Sequence, residues 1–380
     1  MKIKPIAGIA AGTAVLLALA GCTSAPAPAP TTEPTTAPTE APSTEYFLDP
    51  VAEGISEAAA ARITELVAEA EANGETELNL ISGLANDMAP VIAAFEETFG
   101  VKVNVTELIG APLITAIQSE VQSGNRTTDV LHNPNGQLYV DFAEAYEVVS
   151  LEVPSALAGS ADQIVDPDHK FTSPFIGFFG LGVFLPRAGA SGLNPTLWSD
   201  LAQPEYAGLV GMGDPKVPGP NQDAPIYLLA NGGLTEADLE PLASNSIVKG
   251  TYGDAVAGLM QGEYPFLFAA PSSAVAGAAA AGAPVEFRLM DENNYVVTHK
   301  HLLMAEAPHP ALGKLYLEWL NTLTAQKAVA SASLTPLNLD AANPDAPWTS
   351  WEAGNVTEII PWQEIDAVRP GFIELFQQIF

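Results

Sequence analysis

Leu78-Asn79-Leu80-Ile81-Ser82-Gly83, then Asp87 to Phe99, then Gly100 and Val101-Lys102-Val103-Asn104-Val105, is the stretch that decides the fold. The apolar run 78–81 is short enough for a buried strand, and Ser82-Gly83 ends it. From Asp87 the apolar residues Val91, Ile92, Phe95 and Phe99 fall on one face of a helix, which Gly100 stops. Val101, Val103 and Val105 alternate as the next strand. A helix over about 112–122 follows, ended by Gly124-Asn125, and then a short strand over 129–131. This β-α-β-α-β order predicts an open, mostly parallel sheet with helices on both faces.

Upstream, Ser56 is placed to cap a helix running to about Glu71, with Ile63, Leu66, Val67 and Ala70 on one face and Asn73-Gly74 as its stop. Downstream the pattern returns. Strands are expected over 209–212, 264–268 and 285–289, and helices from Gly219-Pro220 to Asn231-Gly232, over 254–261 and over 272–281. No repeat of fixed period accompanies this. Two α/β lobes in one chain leave a cleft, with ligands expected beyond the carboxyl ends of the strands.

The chain has 380 residues with 14 basic and 45 acidic side chains, a formal charge of −31. A surface this acidic repels nucleic-acid phosphates and anionic headgroups. It serves solubility and does not define the charge of a cleft. Residues 23–45 are Thr, Ala, Pro, Glu and Ser, with prolines at 26, 28, 30, 34, 38 and 42. Such a segment favours extended polyproline II and is expected to act as a semi-rigid spacer. Residues 1–22 begin with Lys2 and Lys4, continue through an uncharged run from Ile6 to Ala20, and end at Cys22, the single cysteine. Positive start, apolar core and small residues before a cut make a secretory signal peptide. One cysteine also excludes an intrachain disulfide framework. No nucleophile elbow, phosphate-cradling Gly-rich loop or His-Glu-x-x-His helix occurs, so no enzymatic activity and no cofactor are expected.

Two resemblances extend this reading. Leu19-Ala20-Gly21-Cys22 resembles the lipobox of bacterial lipoproteins, which implies a diacylglyceryl group on Cys22 and anchorage on the outer face of the cell membrane. Leu66 to Gly74 with Leu78 to Ser82, Ala94-Phe95-Glu96, and Phe99 to Val103 are similar to the solute-binding proteins of ABC importers. The similarity is to the branch with ferric-iron, polyamine and phosphonate binders. Trp198-Ser199-Asp200-Leu201, Pro204 to Gly208, Asp214-Pro215, Ala307-Pro308-His309-Pro310, Gln326 and Pro336 continue the likeness in order.

The resemblance implies a two-lobed type II periplasmic-binding-protein fold. Lobe 1 would comprise 46–176 and 298–330, and lobe 2 would comprise 177–297 and 331–380. Crossings are expected near Phe171–Leu185 and Tyr295–Met304, with Phe175, Phe178 and Phe179 near the hinge. It also implies a monomer that passes a small solute to an ABC permease.

On this fold the candidate ligand residues are Ser82, Gly83, Asn133, Asn135, Phe178, Gly219, Asn221, Ser272, Ser273 and Tyr295. Turn chemistry alone would also explain Ser82 and the Asn133-Pro134-Asn135-Gly136 run, and helix capping would explain Ser272. The ferric-iron binders carry adjacent tyrosines just after the strand that corresponds to Tyr264–Phe268. Here that place reads Ala269-Ala270-Pro271-Ser272-Ser273, and neither Tyr252 nor Tyr295 takes the pair's position. Hydroxyls and helix N-terminal amides suit an anionic or polar organic solute. A ferric-iron binder and a surface lipoprotein without a transport role are the alternatives. His299 and His301 alternate on a strand expected to have one exposed face; without a third ligand nearby they do not define a metal site.

Overall fold

A computed structural model describes residues 48–108, 111–133, 171–352 and 360–380, all within one compact unit spanning 46–380. Cys22, the 23–45 spacer and Asn135 lie outside the described residues. Eleven strands and eleven α-helices are described.

Helix α1 (Glu57–Asn73) starts where Ser56 Oγ accepts from Ala59 N, and stops at Gly74 with φ 70°. Strand β1 (Glu77–Ser82) leads through a turn to α2 (Ala89–Phe99), stopped by Gly100 at φ 67°. Then come β2 (Lys102–Glu107), α3 (Ala111–Ser123) and β3 (Val130–Asn133). The first sheet has the order β10-β3-β1-β2. β1 is parallel to both neighbours, and β10 (Lys300–Leu303) is antiparallel to β3. Val91, Phe95, Leu78, Leu80, Leu131 and the late helices α9 (Pro310–Trp319) and α10 (Leu323–Ser331) build one core around it.

The second sheet forms around β4 (Phe175–Phe184), a ten-residue strand buried along most of its length. Helix α4 (Leu185–Ser191) follows it. The sheet contains β5 (Val210–Gly213), β6 (Ser246–Lys249), β7 (Phe266–Pro271), β8 (Val285–Arg288), β9 (Tyr295–Thr298) and β11 (Thr335–Pro336). Its helices are α5 (Pro220–Ala230), α6 (Glu236–Asn245), α7 (Tyr252–Met260), α8 (Ser272–Ala280) and α11 (Trp362–Ile379). They cover a second core that includes Phe178, Trp198, Tyr264, Phe266 and Phe376.

Two segments join the sheets. β4 pairs with β9, while just before it Thr172 bridges to His301 beside the first sheet. The chain then runs from β9 directly into β10. Phe175 packs in the first core and Ile176 in the second, so the boundary between cores crosses the start of β4. Among the described residues no helix is long and apolar enough to cross a membrane.

Candidate functional site

The loops at the carboxyl ends of β1 and β7 meet. The turn after β1 carries Asp87, and α8 begins directly after β7 with Ser272 and Ser273. Ser273 Oγ donates to Asp87 Oδ2 at 2.9 Å, tying the first-sheet side to the second. Burial pushes the Asp87 carboxyl above its usual range; the Ser273 bond opposes the rise, and the nearby Glu107 charge adds to it. Ser272 Oγ donates to Ser333 O at 2.9 Å, so both serine hydroxyls expected at this loop have acceptors within the chain.

An aromatic wall stands beside that seam. Phe179 and Tyr295 have ring centroids 4.8 Å apart, Tyr227 and Tyr295 4.8 Å, and Phe179 and Tyr252 6.0 Å. The Tyr252 hydroxyl donates to Ala269 O at 2.9 Å. Ala269 sits at φ 51°, where the β4–β7 register shifts and an extra residue is accommodated. A left-handed alanine at a strand end is strained, and its carbonyl is held by a wall residue. Burial raises the phenol pKa values of Tyr227, Tyr252 and Tyr295. Asp87 adds to the rise at Tyr252, and Asp223 and Tyr227 add to it at Tyr295.

Alternation along β4 separates the two hinge phenylalanines. Phe178 is fully buried in the second core and is not brought to the seam, whereas half-buried Phe179 faces the tyrosines.

Further along, Gly219 has φ 115° and opens α5, with Asn221 and Gln222 buried in its first turn. Among the described residues Asn221 Oδ1 has no hydrogen-bond partner, and a Cβ on Gly213 would come within 2.4 Å of it. Arg369 of α11 reaches this turn, donating to Gln222 Oε1 at 3.2 Å and pairing with Asp223 and with Asp366 at 2.6 Å. Burial raises the Asp223 pKa despite the guanidinium beside it.

The first-sheet candidates are engaged in a buried network. Ser82 Oγ lies 2.8 Å from His132 Nδ1 and accepts from Leu84 N at 3.1 Å. Gly83 N donates to His132 O at 3.4 Å. His132 Nε2 is 3.2 Å from His299 Nδ1, and its ring stacks on His301 at 4.3 Å. Asn133 is buried at the end of β3, opposite Lys300. The expectation that His299 and His301 share a strand with an exposed face is not met: they are 5% and 0% exposed, because the crossing strand is packed on both sides. Burial drives all three imidazoles far toward neutrality, His299 and His301 to about 3.

Asp87, Tyr227, Asp366 and Arg369 were not among the expected site residues. Asp87 read as the first residue of a helix, and the sequence reading placed no helix over 362–379, where Asp366 and Arg369 lie.

The family model for bacterial extracellular solute-binding proteins matches residues 80–332. No curated protein matches the sequence. Among solved structures, iron-bound HitA from Pseudomonas aeruginosa is 15% identical, with a TM-score of 0.59 over 80% of this chain and 99% of that one. The substrate-binding protein of an ABC transporter from Agrobacterium tumefaciens is 16% identical, with a TM-score of 0.64 over 81% and 96%. AfuA from Actinobacillus pleuropneumoniae, solved with fructose-6-phosphate, is 16% identical, with a TM-score of 0.57 over 80% and 99%. At these identities the likeness carries the fold, that of the type II periplasmic binding proteins. The chain therefore belongs to the bacterial extracellular solute-binding proteins.

Proposed function

We propose that this protein captures a small polar organic solute outside the cell membrane and delivers it to an ABC import permease, working as a monomer tethered through a lipidated Cys22. The observation that carries the reading is the Asp87–Ser273 seam lined by Phe179, Tyr227, Tyr252 and Tyr295. It lies beyond the carboxyl ends of β1 and β7, where solutes bind in open α/β sheets. Residues 46–176 with 298–330, and 177–297 with 331–380, are the two bodies that would close on the solute about β4 and the β9–β10 crossing. Asn221, whose acceptor oxygen lacks a partner among the described residues, and the adjoining Gly219 turn extend the contact surface. The hydroxyls of Ser272 and Ser273 already have acceptors, which favours a polar organic solute over one chosen for its negative charge.

Ferric iron is the second reading, favoured by the iron-bound relative and by three neighbouring phenols. Against it, Ala269-Ala270 occupies the place of the tyrosine pair. Among the described residues no three His, Cys, Asp or Glu side chains could hold a metal together.

Native mass spectrometry of gently purified protein, with scattering before and after solute removal, tests the function. A retained organic solute whose loss expands the particle is expected. A particle of unchanged size that retains nothing refutes it, and a visible phenolate–iron band on adding ferric citrate selects the second reading. Cys22→Ser should release the protein from the membrane fraction or block its processing; unchanged retention with normal cleavage refutes the anchor.

A further inference from the structure

We infer that Asp87 and Ser273 form an internal latch that keeps part of the solute-free population closed, so that an arriving solute competes with the chain's own hydrogen bond. The inference rests on the reading of this seam as the solute site and adds a self-inhibiting contact within it.

Three observations support it. The first is that each end of the bond belongs to a different packed body. Met88 N donates to Leu84 O at 2.9 Å, and the Met88 side chain is fully buried in the first core, so the turn carrying Asp87 moves with the first sheet. Ser273 is 7% exposed in the first turn of α8, and Val275 just after it is fully buried in the second core. The 2.9 Å bond between Ser273 Oγ and Asp87 Oδ2 therefore has to break when the two bodies part.

The second is the charge at the start of α8. Pro271, the residue before this nine-residue helix, supplies no side-chain cap. The first N–H groups of a helix favour a negative charge beside them. Asp87 brings a carboxylate from the opposite sheet to the second residue of this uncapped turn. A hydrogen bond to an ionised group is stronger than one between neutral groups. The chain's own carboxylate thus stands where a polar group of a solute would otherwise be favoured.

The third is a fixed pivot beside the latch. Ser272 Oγ donates to Ser333 O, on the connector from α10 to β11. Gln326 of α10, 1% exposed, uses its whole amide there. Its Nε2 donates to Pro174 O at 2.9 Å and Leu320 O at 2.7 Å, and its Oε1 accepts from Leu337 N at 2.7 Å and Asn338 N at 3.1 Å. These bonds tie the connector to the residue before β4. The two adjacent serines divide the work: Ser272 keeps α8 on the connector, while Ser273 can release Asp87. One charge-assisted bond shifts the closed-to-open ratio about ten- to a hundredfold. The apparent affinity for solute falls by the fraction of protein that is latched.

The test measures the distance between the two bodies in full-length protein in detergent. Glu97 of α2 and Glu240 of α6, both exposed, are replaced by a noncanonical residue carrying a spin label, and the pair is read by double electron–electron resonance. Small molecules are removed by dialysis in dilute urea, with native mass spectrometry as the check. The stripped parent should show a short and a long distance together. Asp87→Ala and Ser273→Ala should each lower the short-to-long ratio ten- to a hundredfold, and the double variant should lower it no further than either single one. Ser273→Thr, which keeps the hydroxyl, should stay within about threefold of the parent. A stripped parent with the long distance alone overturns the latch, as do additive effects in the double variant or a ratio unchanged by both single ones. Solute retention by the parent, read in the same mass spectra, reports on the site separately: a failed latch in a protein that retains a solute leaves the seam as its site, whereas a working latch in a protein that retains nothing removes the solute reading and keeps the latch.

Discussion

Acidification should unfold this protein through its buried histidines. His299 and His301 are held to about 3 in the fold, against 6.5 in an open chain. A base with a lowered folded-state pKa contributes stability that is present above the unfolded value and lost as the pH falls toward the folded one. The window is therefore pH 6.5 down to about 3. Between pH 7 and pH 5 each histidine titrates about 1.5 units of the window, at 1.36 kcal/mol per unit, or about 2 kcal/mol. Together His299 and His301 should remove about 4 kcal/mol, and His132 shifts in the same direction.

That is a large share of a usual folding stability of about 5–15 kcal/mol. Asp87 and Asp223 act oppositely, since their raised pKa values favour the fold as the pH drops. Lys300, lowered to about 7, loses stability mainly between pH 10.5 and 7 and adds little below that. A single variant isolates the effect. Among the described residues His301 Nε2 has no partner, so His301→Gln removes one titrating group without breaking a side-chain bond from that atom to them. Urea unfolding at pH 7 and pH 5 should show wild type losing about 2 kcal/mol more than the variant. Equal losses in the two proteins would refute the linkage.

Two further outcomes concern the frame around the site. Gly180→Ala should destabilise by about 2–3 kcal/mol in urea melts, since its Cβ would lie 2.3 Å from Arg288 O, a backbone atom that cannot rotate away; a loss below about 0.5 kcal/mol would contradict this close packing. Asp129 is fully buried and accepts from Asn79 N at 2.7 Å, His309 N at 2.6 Å and His309 Nδ1 at 2.9 Å, so Asp129→Ala should cost about 3–5 kcal/mol by the same assay, and a neutral result would refute its role as the clamp between β1 and α9.

The parts of the fold that could be read from sequence are those written in local signals. Val103 alternates with its neighbours, Gly74 and Gly100 stop helices in the left-handed region, and Ser56 caps α1 within three residues. Helices α6 and α11 were not read; α11 is placed by its contacts with α5, such as Arg369 to Asp223, 146 residues away. The candidate site was legible only as a set of loops. Ser273 was singled out as a donor, but its acceptor Asp87 lies 186 residues away and no local pattern reports that pairing. Phe178 and Phe179 are adjacent apolar residues, and the register of β4 alone decides which faces the seam. Neutral His299 and His301 follow from packing of the crossing strand against β3 and β4, again a long-range property.

The crossing strand also sets the order in which the chain can fold as it emerges. His132 and His299 are 167 residues apart, so β3 emerges with its sheet edge open and stays open until β10 arrives. Meanwhile β4, β5, β7, β8 and β9 all emerge, and they have most of their own partners. The inserted segment can therefore consolidate while residues 77–133 wait with an uncovered strand edge. In that interval the emerging chain is most exposed to edge-to-edge pairing with other chains, and a chaperone that shields β3 would act before β10 arrives.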